Sequence, residues 1–220
     1  MIVAIQCAAR KRAGAGHLRT PDGTPILFVA KPELAPFARD FVYARPDDDS
    51  AKGQPWRQVL LRYNEAPGNN PLGLFPAHEL YEKETYRLLV DRFGIRKVFI
   101  LSAGWGLINA SFLTPYYDIT FSAAAEHYKR RTKGDRYRDL QMIPSDSTDG
   151  IVFLGGKDYL PLFCSLTKDL RCRRTVYYNS DTPPAAPGCS LIRFNTKTRT
   201  NWHYECAGRL LDGSISLPAP

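Results

Sequence analysis

At 220 residues, 44% of them hydrophobic, the chain is long enough to bury a full core. No run of about 18 apolar residues occurs, which excludes a membrane-spanning helix; thirty Lys and Arg against 22 Asp and Glu leave a net charge of +8. Five scattered cysteines without a C-x-x-C pair argue against a disulfide framework and a zinc ribbon, and no cofactor or metal is expected.

In chain order, residues 2–6, 26–30 and 59–63 read as strands, with an exposed Pro- and Asp-rich loop at 46–55. A helix is expected over 77–90, ended by Gly94, and a buried strand over 97–101 follows it directly. Ser122 is placed to cap a helix over 123–131. The strand 150–154 passes through Gly155-Gly156 into a helix over 157–170. Strands at 173–178 and 190–194, a helix at 204–211 and a frayed tail at 218–220 complete the set. Alternating strands and helices predict a single α/β domain over 1–220: a three-layer sandwich with a mostly parallel central sheet. Its first 65 residues are strand-rich and expected at a mixed sheet edge, while 66–217 alternate helix and strand. The expected home is the cytoplasm, since the apolar opening has no basic leader before it.

The densest information lies at 98–122. The apolar run Val98-Phe99-Ile100-Leu101 breaks into Ser102-Ala103-Gly104-Trp105-Gly106-Leu107-Ile108, and Pro115-Tyr116-Tyr117-Asp118 follows. A rigid strand here delivers an aromatic, singly acidic loop suited to holding something flat. The same residues also suit a buried strand, a turn and aromatics that merely pack.

With the opening Ile2-Val3-Ala4-Ile5-Gln6-Cys7-Ala8-Ala9-Arg10-Lys11-Arg12, this segment resembles the YaaA-like peroxide-stress family and its small relatives. The resemblance implies an α/β fold with a basic DNA-binding cleft, remotely similar to the uracil-DNA glycosylase superfamily. The Gly-x-Asp-Pro-Tyr and His-Pro-Ser loops usual in that superfamily are absent from this chain.

Ligands of open α/β sheets bind beyond the carboxyl ends of the strands, which nominates the loops 7–12, 102–118, 155–158 and 179–181. Asp118 is the candidate catalytic base for a water, or else a cap for the helix expected after it. Candidate substrate contacts are Cys7, Ser102, Trp105, Tyr117, Asn69 and Asn70. Trp105 stacks on a nucleobase if its flanking glycines expose the ring, or plugs the core. Cys7 is a thiolate nucleophile or a small buried residue. Asn69-Asn70 reads a base edge or forms a turn. His203 and Cys206 offer two metal ligands without a second pair to complete a site.

Cations cluster at Arg10, Lys11 and Arg12, and at Lys129, Arg130 and Arg131, with Lys157 after the glycine pair. Converging clusters with interleaved aromatics would track phosphates, so DNA is the expected partner, with no membrane and no obligatory protein partner. Three functions remain: a DNA glycosylase-like hydrolase serving repair or defence against phage DNA, a non-catalytic DNA-binding stress protein, or an enzyme on free nucleotides or nucleosides.

Overall fold

The computed structural model describes residues 1–215, so the expectation for 218–220 lies outside the described residues. The chain opens with β1 (Ile2–Gln6), β2 (Ile26–Val29) and β3 (Val42–Ala44). Next come α1 (Trp56–Tyr63), β4 (Phe75–Pro76), α2 (Ala77–Leu80) and α3 (Thr85–Phe93). The middle holds β5 (Val98–Ser102), β6 (Gly106–Asn109), β7 (Leu113–Thr114), β8 (Tyr117–Asp118) and β9 (Leu140–Gln141). Last are β10 (Ile151–Leu154), α4 (Leu160–Thr167), β11 (Arg174–Tyr178), β12 (Ser190–Arg193) and α5 (Trp202–Leu211).

Seven strands form one sheet in the order β12-β11-β10-β1-β5-β6-β9, parallel throughout except for the β5–β6 hairpin. Every residue of β5 and β10, and the first four of β1, is buried. Successive strand residues point to opposite faces, so such uninterrupted burial means that both faces are covered, the α/β sandwich arrangement. α3 packs on α5, β1 and β5, and α4 packs on β6 and β9. Taken by chain order, the five long parallel strands run second, first, third, fourth, fifth. That doubly wound order reverses beside β1, where a crevice forms at the strand ends.

Four local expectations are corrected. Residues 59–63 belong to α1, because Trp56 and Leu60, four apart, bury one face of a helical turn. The helix expected over 77–90 splits at Tyr81, whose extended backbone bridges Lys11 and whose ring is buried. Only the turn His127–Lys129 is helical within 123–131. There the backbone pairs instead with Thr120, through Thr120 N–H to Lys129 O at 3.0 Å and Arg131 N–H to Thr120 O at 2.8 Å. The strand-rich start supplies the centre of the main sheet through β1, while β2 and β3 join β8 in a separate parallel sheet.

Candidate functional site

The turn from β5 into β6 is fixed from inside the protein. Ser102 Oγ accepts the N–H groups of Gly104 and Trp105 at 3.2 and 3.1 Å. Buried Arg57 donates to the carbonyls of Trp105 and Gly104 at 3.0 and 3.1 Å and pairs with Asp47. Buried Arg131 donates to Ala103 O at 2.8 Å and forks onto both oxygens of Asp139. Gly106 has φ +91°, and a Cβ there would sit 2.4 Å from Leu140 O. The glycine therefore answers to a close backbone approach. Trp105 is 0% exposed, edge-on to Phe28 at 5.0 Å and Tyr117 at 6.4 Å. Its ring is core, the second of the two readings, and has no face for a nucleobase; Arg131, buried and ion-paired with Asp139, faces no phosphate, which corrects its assignment to a DNA-facing cluster.

Behind this turn lies a buried polar cluster. Ser102 Oγ donates to Tyr117 Oη at 2.8 Å, and Tyr117 Oη lies 2.8 Å from Tyr81 Oη. Lys11 Nζ sits 4.0 Å from the centre of the Tyr117 ring and donates to Ala9 O at 3.3 Å. Burial pushes the Lys11 ammonium down, opposed by the charges of Cys7 and Asp118. Lys11 is thus an interior cation rather than a surface one, which corrects its assignment to a DNA-facing cluster. Cys7 Sγ contacts Tyr159 Oη at 3.3 Å. Burial, then the proximity of Cys7, holds the hydroxyls of Tyr117 and Tyr159 well above the usual phenol range. Asp118 ion-pairs with Lys129 at 2.8 Å, and Lys129 also reaches Glu126 at 2.7 Å. Against the opposing effect of burial, those hydrogen bonds raise the Lys129 pKa. Asp118 is therefore matched to a cation and caps no helix.

A cleft of about 1290 Å³ opens at the carboxyl ends of β1, β10 and β11 and the start of α5. Of the residues nominated from sequence, Cys7, Arg10 and Lys157 line it. Lys83 and Arg199 add positive charge, and Phe121, Tyr159 and Trp202 supply rings. Gln6 Oε1 accepts the Gly156 N–H at 2.6 Å and so ties the glycine loop to β1. Asn201, at φ +61°, precedes α5 without a side-chain cap.

His203 also lines the cleft, 3% exposed, with no hydrogen-bond partner for Nε2. Burial lowers its pKa to about 4, so the ring is neutral near pH 7. Side chains lean toward the N-terminus of their helix, and here that is the cleft end. Sequence reading offered His203 as a metal ligand beside Cys206; the spacing of Trp202, His203, Cys206 and Leu210 on the buried side of α5 was the available signal.

Three nominated groups sit elsewhere. Asn70 bonds Tyr63 Oη, Leu74 O and Leu74 N–H, which makes the Asn69-Asn70 pair a structural turn with Asn69 exposed at its tip. Arg12 is exposed over the Phe75 ring, and Arg130 donates to Ala123 O at 3.3 Å. Among the described residues no group of three or more His, Cys, Asp or Glu is placed to hold a metal ion, and no helix is long and apolar enough to cross a membrane. In comparisons with protein-family models, curated proteins and solved structures, no match to the chain was found.

Proposed function

We propose that the chain binds DNA and hydrolyses the N-glycosidic bond of a damaged or modified nucleotide extruded into the cleft. The cleft carries this reading: about 1290 Å³ where three parallel strands end, with cations at its rim and aromatic rings in its wall. Pockets for small ligands commonly span about 300–1,000 Å³, so a nucleotide and its flanking sugar-phosphate fit. An extruded base is gripped between rings and polar groups, here Phe121, Tyr159 and Trp202 with the neutral His203. Arg10 and Lys157 suit the phosphates, helped by the N–H groups at the start of α5. The resemblance of residues 2–12 and 98–122 to the YaaA-like family supports the same reading, since it implies a basic DNA-binding cleft.

In this reading water replaces the base at the sugar C1′, and positive charge develops on the sugar as the bond breaks. Asp118 lies two residues before Thr120, where the cleft wall begins. Its carboxylate, ion-paired with Lys129, is the group assigned to stabilise that charge. An enzyme on free nucleotides or nucleosides is the second reading. It is favoured by one observation: Lys11, Lys129 and Arg131 are committed to internal partners, which shrinks the outward basic surface.

The deciding experiment incubates the protein with single- and double-stranded DNA bearing normal, damaged or modified bases, then cleaves abasic sites with alkali. Breaks at one base type, abolished by Asp118→Asn while DNA affinity persists, are expected. Tight binding without breaks on any substrate would leave a non-catalytic DNA-binding protein. Neither binding nor breaks would overturn the DNA reading and leave the free nucleotide as substrate.

A further inference from the structure

Two of the five scattered cysteines meet in the fold. Cys164 lies inside α4 and Cys189 immediately before β12, 25 residues apart in sequence, with their Sγ atoms 3.9 Å apart. Cys164 is buried and Cys189 is half-exposed. The Cys189 thiol also faces Pro187 O at 3.8 Å. On the neighbouring strand β11, Arg174 donates to Thr167 Oγ1 at 3.3 Å. Its guanidinium lies against Gly188, where a Cβ would come within 2.3 Å of Nη2. That places a positive charge beside Cys189, and Gly188 itself has φ +71°, a conformation that favours glycine.

We propose that Cys164 and Cys189 form a dithiol that hydroperoxides oxidise to an intramolecular disulfide, with Cys189 reacting first. Exposure favours Cys189 as the attacking sulfur. So does its lowered pKa of about 7, which follows first from the hydrogen bond with Cys164 and then, against burial, from Arg174. The Cys189 thiolate attacks the hydroperoxide and breaks the O–O bond, giving a sulfenic acid and releasing an alcohol, or water from hydrogen peroxide. The Cys164 thiol then attacks that sulfur. The S–S bond forms, and the sulfenic oxygen departs as water with the thiol proton. Overall the two thiols lose two electrons and two protons, and the hydroperoxide takes up both. The bond ties α4, which follows the glycine loop of the cleft, to the segment that runs from the cleft residues Asn179 to Asp181 into β12.

The test treats the reduced full-length chain with stoichiometric hydrogen peroxide, alkylates the remaining thiols under denaturing conditions and maps peptides without reduction. Expected are three alkylated cysteines in place of five, one peptide pair joined through Cys164 and Cys189, and full reversal by dithiothreitol. Cys164→Ser is expected to stop at a Cys189 sulfenic acid that dimedone traps, and Cys189→Ser to leave Cys164 a thiol. Separate alkylation of Cys164 and Cys189 in treated wild-type protein would overturn the proposal, as would a link through any other cysteine. The wild-type map decides the matter even if a variant folds poorly.

Discussion

His203 shows how one side chain links burial to pH. An unfolded histidine titrates at about 6.5, whereas burial lowers the folded value to about 4. Between those values the unfolded chain binds the extra proton, so stability is intact above pH 6.5 and falls as the pH drops toward 4. At about 1.36 kcal/mol per pKa unit the loss approaches about 3 kcal/mol. His203→Gln is expected to flatten this acid limb, as read by urea unfolding at pH 7, 5.5 and 4.5. Parallel losses in wild type and variant would show that another group drives the acid sensitivity. Trp105 teaches a different residue-scale lesson. Its flanking glycines suggested an exposed ring, but Gly106 exists because the Leu140 backbone passes where a Cβ would stand. That neighbour lies 34 residues away in sequence and leaves no local trace.

Among the elements, the strands at 98–102 and 151–154 were legible because a fully buried strand is simply an apolar run bounded by small residues. The run Val59-Leu60-Leu61 was not, since three adjacent apolar residues fit a strand as well as a helix. α1 is decided instead by Trp56 and Leu60 together with Arg57, whose guanidinium serves the β5–β6 turn. Removing that charge leaves Asp47 with the Arg138 N–H and Trp105 O with the Leu140 N–H, and takes from Gly104 O its Arg57 donor. Breaking a buried pair by deleting one partner costs about 3–5 kcal/mol, and Arg57→Met is expected to lower unfolding stability by about that amount. A loss under about 1 kcal/mol would show that the turn holds without it. The cationic run at 129–131 was misread for a related reason. Each cation finds its partner only after folding: Asp118 for Lys129, Ala123 O for Arg130 and Asp139 for Arg131.

For the whole molecule, the net charge of +8 draws on cations locked inside, such as Arg57 and Arg131, cations at the cleft, such as Arg10 and Lys157, and exposed ones elsewhere, such as Arg12 and Arg96. If DNA crosses the cleft, the slope of log affinity against log salt reports the phosphates engaged there, about −0.9 for each on a duplex. Reversing Arg10 and Lys157 together, by Arg10→Glu and Lys157→Glu, is expected to make that slope shallower by about 2. The same reversal at Arg96, exposed just before β5 at the opposite end of the sheet, is expected to change it far less. Equal effects at both ends would mean that DNA senses only the total charge. The cleft's position was legible at this scale, because alternating strands and helices imply a crevice at the strand ends, although the loop 102–118 nominated with it does not line the cleft. The tyrosines 81, 117 and 159 that meet around Cys7 were not, since they come from three distant segments.

The two guanidiniums that grip the 103–105 carbonyls also bear on how the chain folds. A hairpin is ordinarily the most local of motifs, complete within microseconds from its own residues. This one draws its fastenings from position 57 upstream and position 131 downstream, and neither guanidinium can arrive before its own flank has docked. The carbonyls of this turn therefore gain these donors only once both flanks are in place, whereas its Gly104 and Trp105 N–H groups are held from within the hairpin by Ser102 Oγ.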